Sequence, residues 1–154
     1  MRDNFLAVVC LLAAACGDPR LEFAGTWKGP MKTIVRFDDG SSSTYPKGEV
    51  IVAISAPERS DRLDFNGGCH MTATVNDDRK FTVHKKPCPV QRISFPVGAT
   101  TVSCDLVETV NGGAGTREAT SLTVSYFGDS QITHCSDGID LLATYTAEML
   151  LTRQ

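Results

Sequence analysis

The 154-residue sequence has no apolar run that would cross a bilayer as a helix. The stretch Phe5 to Ala15 is eleven residues, which at about 1.5 Å each covers roughly half of a ~30 Å hydrocarbon core. It has no clustered basic face either. Its 15 Lys and Arg stand against 18 Asp and Glu, a formal charge of -3, and the densest basic pairs, Arg79-Lys80 and Lys85-Lys86, sit at the two ends of one predicted strand as solvated loop ends. That leaves no electrostatic footprint for nucleic acid. Hydrolase signatures are missing: there is no Gly-x-Ser-x-Gly and no His-Glu-x-x-His. Ser, His and Asp come together only in Thr133-His134-Cys135-Ser136-Asp137, where adjacency prevents convergence on one substrate atom. No Cys-x-x-Cys or His-x-x-x-His occurs. His70 adjoins Cys69, His134 adjoins Cys135 and His84 lies four before Cys88, but neighbouring strand residues point to opposite faces. Asp38-Asp39 lacks the spaced ligands of a calcium loop. The run Asn111-Gly112-Gly113-Ala114-Gly115-Thr116 lacks a Gly-Lys-Ser/Thr ending and reads as a flexible hairpin loop. These absences argue against an enzyme, a metal site and a cofactor.

What is present begins with the run Phe5 to Ala15 itself, which ends in three alanines before Cys16. It reads as the apolar region of a signal peptide over residues 1–15, with a small-residue cleavage site. Ala13-Ala14-Ala15-Cys16 resembles the lipobox of bacterial lipoproteins. The resemblance implies cleavage before Cys16, acylation of its thiol, and a home in the bacterial cell envelope with the lipid as membrane anchor. Each buried acyl CH₂ contributes about 0.8 kcal/mol, so two or three chains hold a domain of this size. Asp18 stands second after the cysteine, behind Gly17, which makes the outer membrane the default over the inner one. Plain secretion, with Cys16 left as a thiol, is the alternative. Residues 16–22 then form the lipidated N-terminus and a polar tether, and residues 23–154 a single domain with one core.

Of the six cysteines, Cys10 leaves with the signal peptide and Cys16 is the lipidation site. Cys69, Cys88, Cys104 and Cys135 remain, and four cysteines in an exported domain imply two disulfides with three connectivities open. The chain from 69 to 88 reads as one hairpin that returns Cys88 to Cys69, which favours Cys69–Cys88 with Cys104–Cys135. Each closure stabilises by roughly 3 to 4 kcal/mol in the chain-entropy model.

Two-residue periodicity dominates the rest. Trp27 shares parity with Met31, Val35 and Phe37, and Pro30 implies an edge, bend or bulge within that strand. Residues 38–44 are a loop by composition. Glu49 to Ser55 is apolar on both faces and reads as a central strand. Leu63 and Phe65 mark another. Cys69, Met71, Ala73 and Val75 face one way, the turn Asn76-Asp77-Asp78-Arg79 follows, and Phe81 and Val83 resume the apolar face. Val90 to Val97, Thr101 to Val110 and Thr120 to Phe127 are further strands. Asp129 to Ile139 is irregular, and Leu141 to Leu151 closes the chain as a strand.

Eight to ten short sequential strands without a convincing helix predict an all-β, antiparallel up-and-down meander, which best hides its edges by closing into a small barrel. A two-sheet β-sandwich is the alternative. Gly25-Thr26-Trp27 at the start of the first strand and Arg153 at the end of the last resemble the calycins, the lipocalin and fatty-acid-binding-protein group. The resemblance implies a lipocalin-like barrel in which Trp27 plugs the closed end and Arg153 lies over its indole. It further implies a non-enzymatic protein that binds a small apolar ligand. Ala53, Ala73, Ala143 and Ala147 would leave room for one; Met71, Phe81, Tyr126 and Met149 could fill it. The alternative is a surface interaction protein, an inhibitor or scaffold with a solid core, that meets an envelope or extracellular protein through loops at 38–48 or 111–117.

Overall fold

A computed structural model of the chain describes residues 17–58 and 60–154. Cys16 and the segment 1–15 lie outside the described residues. The chain opens with a 3-10 turn at Pro19–Glu22, capped by Asp18, whose carboxylate accepts from the Arg20 backbone amide at 3.0 Å. Arg20 in turn donates to the Pro57 carbonyl at 2.9 Å, so this part of the predicted tether is docked on the fold. Ten strands follow: β1 (Gly25–Phe37), β2 (Ser42–Ser55), β3 (Arg62–Asn66), β4 (Thr72–Val75), β5 (Lys80–Val83), β6 (Lys86–Pro87), β7 (Gln91–Val97), β8 (Thr100–Glu118), β9 (Ser121–Thr133) and β10 (Leu141–Arg153). Among the described residues no helix is long and apolar enough to cross a membrane.

All ten strands belong to one antiparallel sheet, so the two-sheet alternative is not what forms. Its path runs β5-β4-β3-β2-β1-β10-β9-β8, and β5 also pairs with β8, through Lys80↔Thr116 to Val83↔Gly113. Eight strands therefore close into a ring in which each ring strand has a neighbour on both sides, which removes the exposed edges of an open meander. β6 and β7 lie outside the ring path and continue β5 along the same side of β8, so that residues 80–118 form one long hairpin turning at Val97↔Thr100. Its tip extends beyond the last β8–β9 pair, Asp105↔Thr133.

The pleat directs every second side chain inward. Pro30, which has no amide hydrogen for the ladder, coincides with a register shift against β2 at Pro30/Met31. At one end of the ring Phe23, Trp27, Leu63, Phe81, Leu122 and Leu151 are almost wholly buried. Phe81 meets Phe23 and Phe65 edge-on, at centroid distances of 5.3 and 5.4 Å. The Trp27 indole donates to the Phe23 carbonyl at 2.8 Å. Arg153, the cross-strand partner of Trp27, lies 5.0 Å from the indole centroid and donates to the carbonyls of Glu22 and Ala24. This end is solid.

Three sequence expectations are corrected. Residues 111–117 are strand, the C-terminal part of β8, with a register shift between Val110 and Gly112 in place of a loop. The loop expected over 38–48 ends at residue 41, because β2 begins at Ser42 and pairs with β1 from there. The segment Glu49 to Ser55 is buried on one face only: Val52 and Ile54 point inward while Ile51 is 67% exposed. A ring covers its inner face alone, so apolar residues on the outer one stay in solvent.

Candidate functional site

The disulfides are Cys69–Cys88 and Cys104–Cys135, the pairing favoured by the hairpin argument. Cys69–Cys88 joins the turn after β3 to the segment after β6 and sits at the ring's other end. There the chain from 67 to 70 is tight, with His70 donating its amide to the Gly67 carbonyl at 2.8 Å and adopting φ 48°. Cys88 donates its amide to the Glu108 carbonyl at 2.9 Å, which ties this bridge to β8. Cys104–Cys135 lies near the hairpin tip and holds the chain after β9 against it, where the Ser136 amide bonds the Ser103 carbonyl at 3.0 Å.

Between the solid end and the Cys69–Cys88 bridge the interior is not filled. A cavity of about 410 Å³ is lined by Met31, Val50, Val52, Phe65, Met71, Ala147 and Met149 among apolar residues, and by Thr33, Gln91, Glu108, Tyr126 and Tyr145 among polar ones. Asn66, Gly67, Gly68 and His70, all exposed, border its mouth. The volume falls in the range of small-molecule pockets. Of the small residues weighed for such a space, Ala73, Ala143 and Ala147 are buried inside; Ala53 points outward and is exposed. Of the candidate fillers, Phe81 packs the solid end, while Met71, Met149 and Tyr126 line the cavity wall.

Glu108, Tyr126 and Tyr145 share one wall. The register pairs Glu108 with Ser130, Val110 with Gly128 and Gly113 with Tyr126 across β8 and β9, and Ala143 with Ser130 and Tyr145 with Gly128 across β9 and β10. The two tyrosine rings meet edge-on at 6.2 Å. Tyr145 can lie over its partner because residue 128 is glycine: a β-carbon there would stand 2.7 Å from the tyrosine hydroxyl. Burial first, and the charge of Glu108 second, push the Tyr126 hydroxyl up to about 12 and that of Tyr145 further still. Both phenols stay protonated at neutral pH. Glu108 was not singled out in the sequence, yet it carried a signal: it interrupts the apolar face of Val102, Cys104, Leu106 and Val110 at that parity.

The histidines do not converge. His84 sits on the outer face, between the hydroxyls of Thr72 and Thr74 at 3.2 and 2.8 Å. His134 is exposed and its ring contacts, Asp105 Oδ2 at 3.2 Å and Thr133 Oγ1 at 3.5 Å, both fall on Nδ1. The same Asp105 accepts from Arg92 at 2.7 Å, which, followed by His134, holds its carboxyl below the usual range. Among the described residues no group of three or more His, Cys, Asp or Glu is arranged to hold a metal ion. Comparison with family models, curated proteins and solved structures finds no match for this chain.

Proposed function

We propose that this is a non-enzymatic protein of the bacterial envelope, anchored through lipid on Cys16, that holds a small and largely apolar ligand inside a lipocalin-like barrel. The observation that carries the reading is the 410 Å³ cavity inside the eight-strand ring, walled by methionine, valine and phenylalanine. The space opens to solvent at the mouth bordered by residues 66–70, and a guest seated in it would gain dispersion contacts with the apolar lining. The barrel class is supported by Arg153 over Trp27 at the solid end, the arrangement that the calycin resemblance implies. A solid-core interaction protein is less well supported, because much of 38–48 and all of 111–117 are strand.

Native mass spectrometry of protein purified from its own envelope tests the whole reading. The expected mass is that of a chain beginning at Cys16, with acyl groups, two disulfides and a retained small molecule. Ala147→Phe, which places a ring in the cavity, should lose the retained molecule while leaving the acylation. Recovery of the full-length chain from the cytosol with reduced cysteines would overturn the envelope assignment, and an empty wild-type protein that also binds no apolar probe would overturn the ligand assignment.

A further inference from the structure

β7 is paired on one side only. Its ladder is with β8, from Gln91↔Leu106 to Val97↔Thr100, and it lies off the path of the ring. Which of its main-chain groups β8 engages follows from β8 itself. Ser103, opposite Ser94, accepts at its carbonyl from the Ser136 amide at 3.0 Å and donates its amide to the Ser136 hydroxyl at 3.2 Å. Both of its main-chain groups therefore point away from β7. Bonded and non-bonded pairs alternate along an antiparallel ladder. Gln91, Ile93, Phe95 and Val97 thus bond β8, while Arg92, Ser94 and Pro96 turn their main-chain groups outward. Pro96, which has no amide hydrogen, fits such a position. Among the described residues no backbone group outside the sheet bonds to residues 91–97. The side chains of this edge are already engaged: Arg92 bonds Asp105 at 2.7 Å and Ser94 bonds the Ser103 hydroxyl at 2.8 Å. What remains open is the backbone of exposed residues 92 and 94, flanked by Val90 and Val97 at 61% and 49% exposure, with Ile93 and Phe95 half-buried on the other face. A free strand edge is a template for another strand.

We infer that β7 pairs antiparallel with β7 of a second copy of this chain, about a two-fold axis at Ile93. The pattern of the edge is what selects an identical strand. A two-fold register centred on Arg92 would set two guanidiniums directly opposite, and like charges so placed are destabilising. One centred on Ser94 would set Arg92 opposite Pro96, which has no amide to donate. The register centred on Ile93 sets Arg92 opposite Ser94 of the second copy and Ser94 opposite its Arg92. Each such pair exchanges both main-chain bonds, about four in all. The same register sets Val90 against Pro96 of the second copy at either end and lays the two Ile93 side chains against each other. Seven residues at about 3.4 Å each span roughly 24 Å, a contact of the small, transient class whose dimer dissociates on dilution. The inference does not rest on the ligand reading, since of β7 only Gln91 lines the cavity.

Sedimentation equilibrium of the oxidised protein in excess density-matched detergent tests this. A monomer–dimer equilibrium is expected, with half-association on the order of 100 µM. Ser94→Pro removes an amide hydrogen that β8 does not use and places a ring where the second strand approaches, so it should weaken association about ten-fold or more. Ser94→Ala keeps that amide, loses only the hydroxyl bond to Ser103, and should associate like the wild type. Register is read independently by cross-linking. Arg92→Cys protein mixed with Ser94→Cys protein should form a mixed disulfide dimer, because directly opposed bonded positions lie about 5.5 Å apart, within disulfide reach. Each variant alone should cross-link several-fold more slowly, its two cysteines being offset by two residues, roughly 7 Å. Decanol, an apolar probe of the cavity, should bind the wild type and Ser94→Pro alike, which keeps failure of the pairing distinct from failure of the ligand reading. A chain that stays monomeric to about 1 mM, an unweakened Ser94→Pro dimer, Ser94→Ala losing association as Ser94→Pro does, or Arg92→Cys joining itself as fast as it joins Ser94→Cys would each overturn the pairing. The cysteine variants decide the matter if Ser94→Pro does not fold.

Discussion

Tyr126 and Tyr145 sit where an apolar wall meets a carboxylate, and both effects favour the neutral phenol. An unfolded tyrosine ionises near pH 10. A folded-state value raised above that contributes stability that is fully present below about pH 10 and is lost as pH rises through the folded value, about 12 for Tyr126. Spectrophotometric titration should therefore show two phenols that ionise late and together with loss of the fold. Tyr126→Phe with Tyr145→Phe should remove that late step and extend the alkaline limit. Early ionisation of both rings in the folded protein would mean that they are not buried beside Glu108.

At the scale of elements, β8 departs furthest from its sequence signature. Three glycines within four residues read as a loop, yet the strand runs through them. Gly115 is the reason that can be tested, since a β-carbon there would overlap the ring of Phe81, its cross-strand partner at the solid end. Gly115→Ala should destabilise by about 1 to 3 kcal/mol through overpacking. Gly112→Ala should be neutral or slightly stabilising, within about 0.5 kcal/mol, because its β-carbon would meet the exposed Phe127 at 3.4 Å and the Val83 carbonyl at 3.9 Å, both ordinary contacts. Urea midpoints of the two variants check this pair, and equal effects would show that the glycine run is not there for Phe81. β10 and the first half of β9 were legible because their alternation was uninterrupted: Leu122, Val124 and Tyr126 on β9, and Ala143, Tyr145, Ala147, Met149 and Leu151 on β10, face inward as their parity requires, whereas β9 continues to Thr133 into a stretch whose composition reads as irregular.

For the whole molecule, the two disulfides have separate duties. Cys104–Cys135 holds the chain after β9 to the hairpin tip, away from the cavity, whereas Cys69–Cys88 lines the cavity mouth. Loops of 31 and 19 residues each stabilise by roughly 3 to 4 kcal/mol in the chain-entropy model. Cys104→Ser with Cys135→Ser should therefore lower stability by about that amount and leave decanol affinity unchanged. Cys69→Ser with Cys88→Ser should lower stability comparably and weaken decanol binding, since the mouth loses its brace. Calorimetric melting and titration on the same samples separate the two effects; identical binding in both double variants would place the ligand elsewhere.

Sequence alone determined the strands with clean alternation, an irregularity at Pro30 and the antiparallel order, and it favoured one of three disulfide pairings, because each follows from neighbouring residues: parity, turn chemistry and the short return of a hairpin. Tertiary structure decided the closure of β5 on β8, the strand through the glycine run, the solvent exposure of Ile51, and the meeting of Glu108 with Tyr126 and Tyr145. Those depend on which distant strands become neighbours. A side chain's parity states its face, but only the closed ring states what stands opposite it and whether the space between is filled.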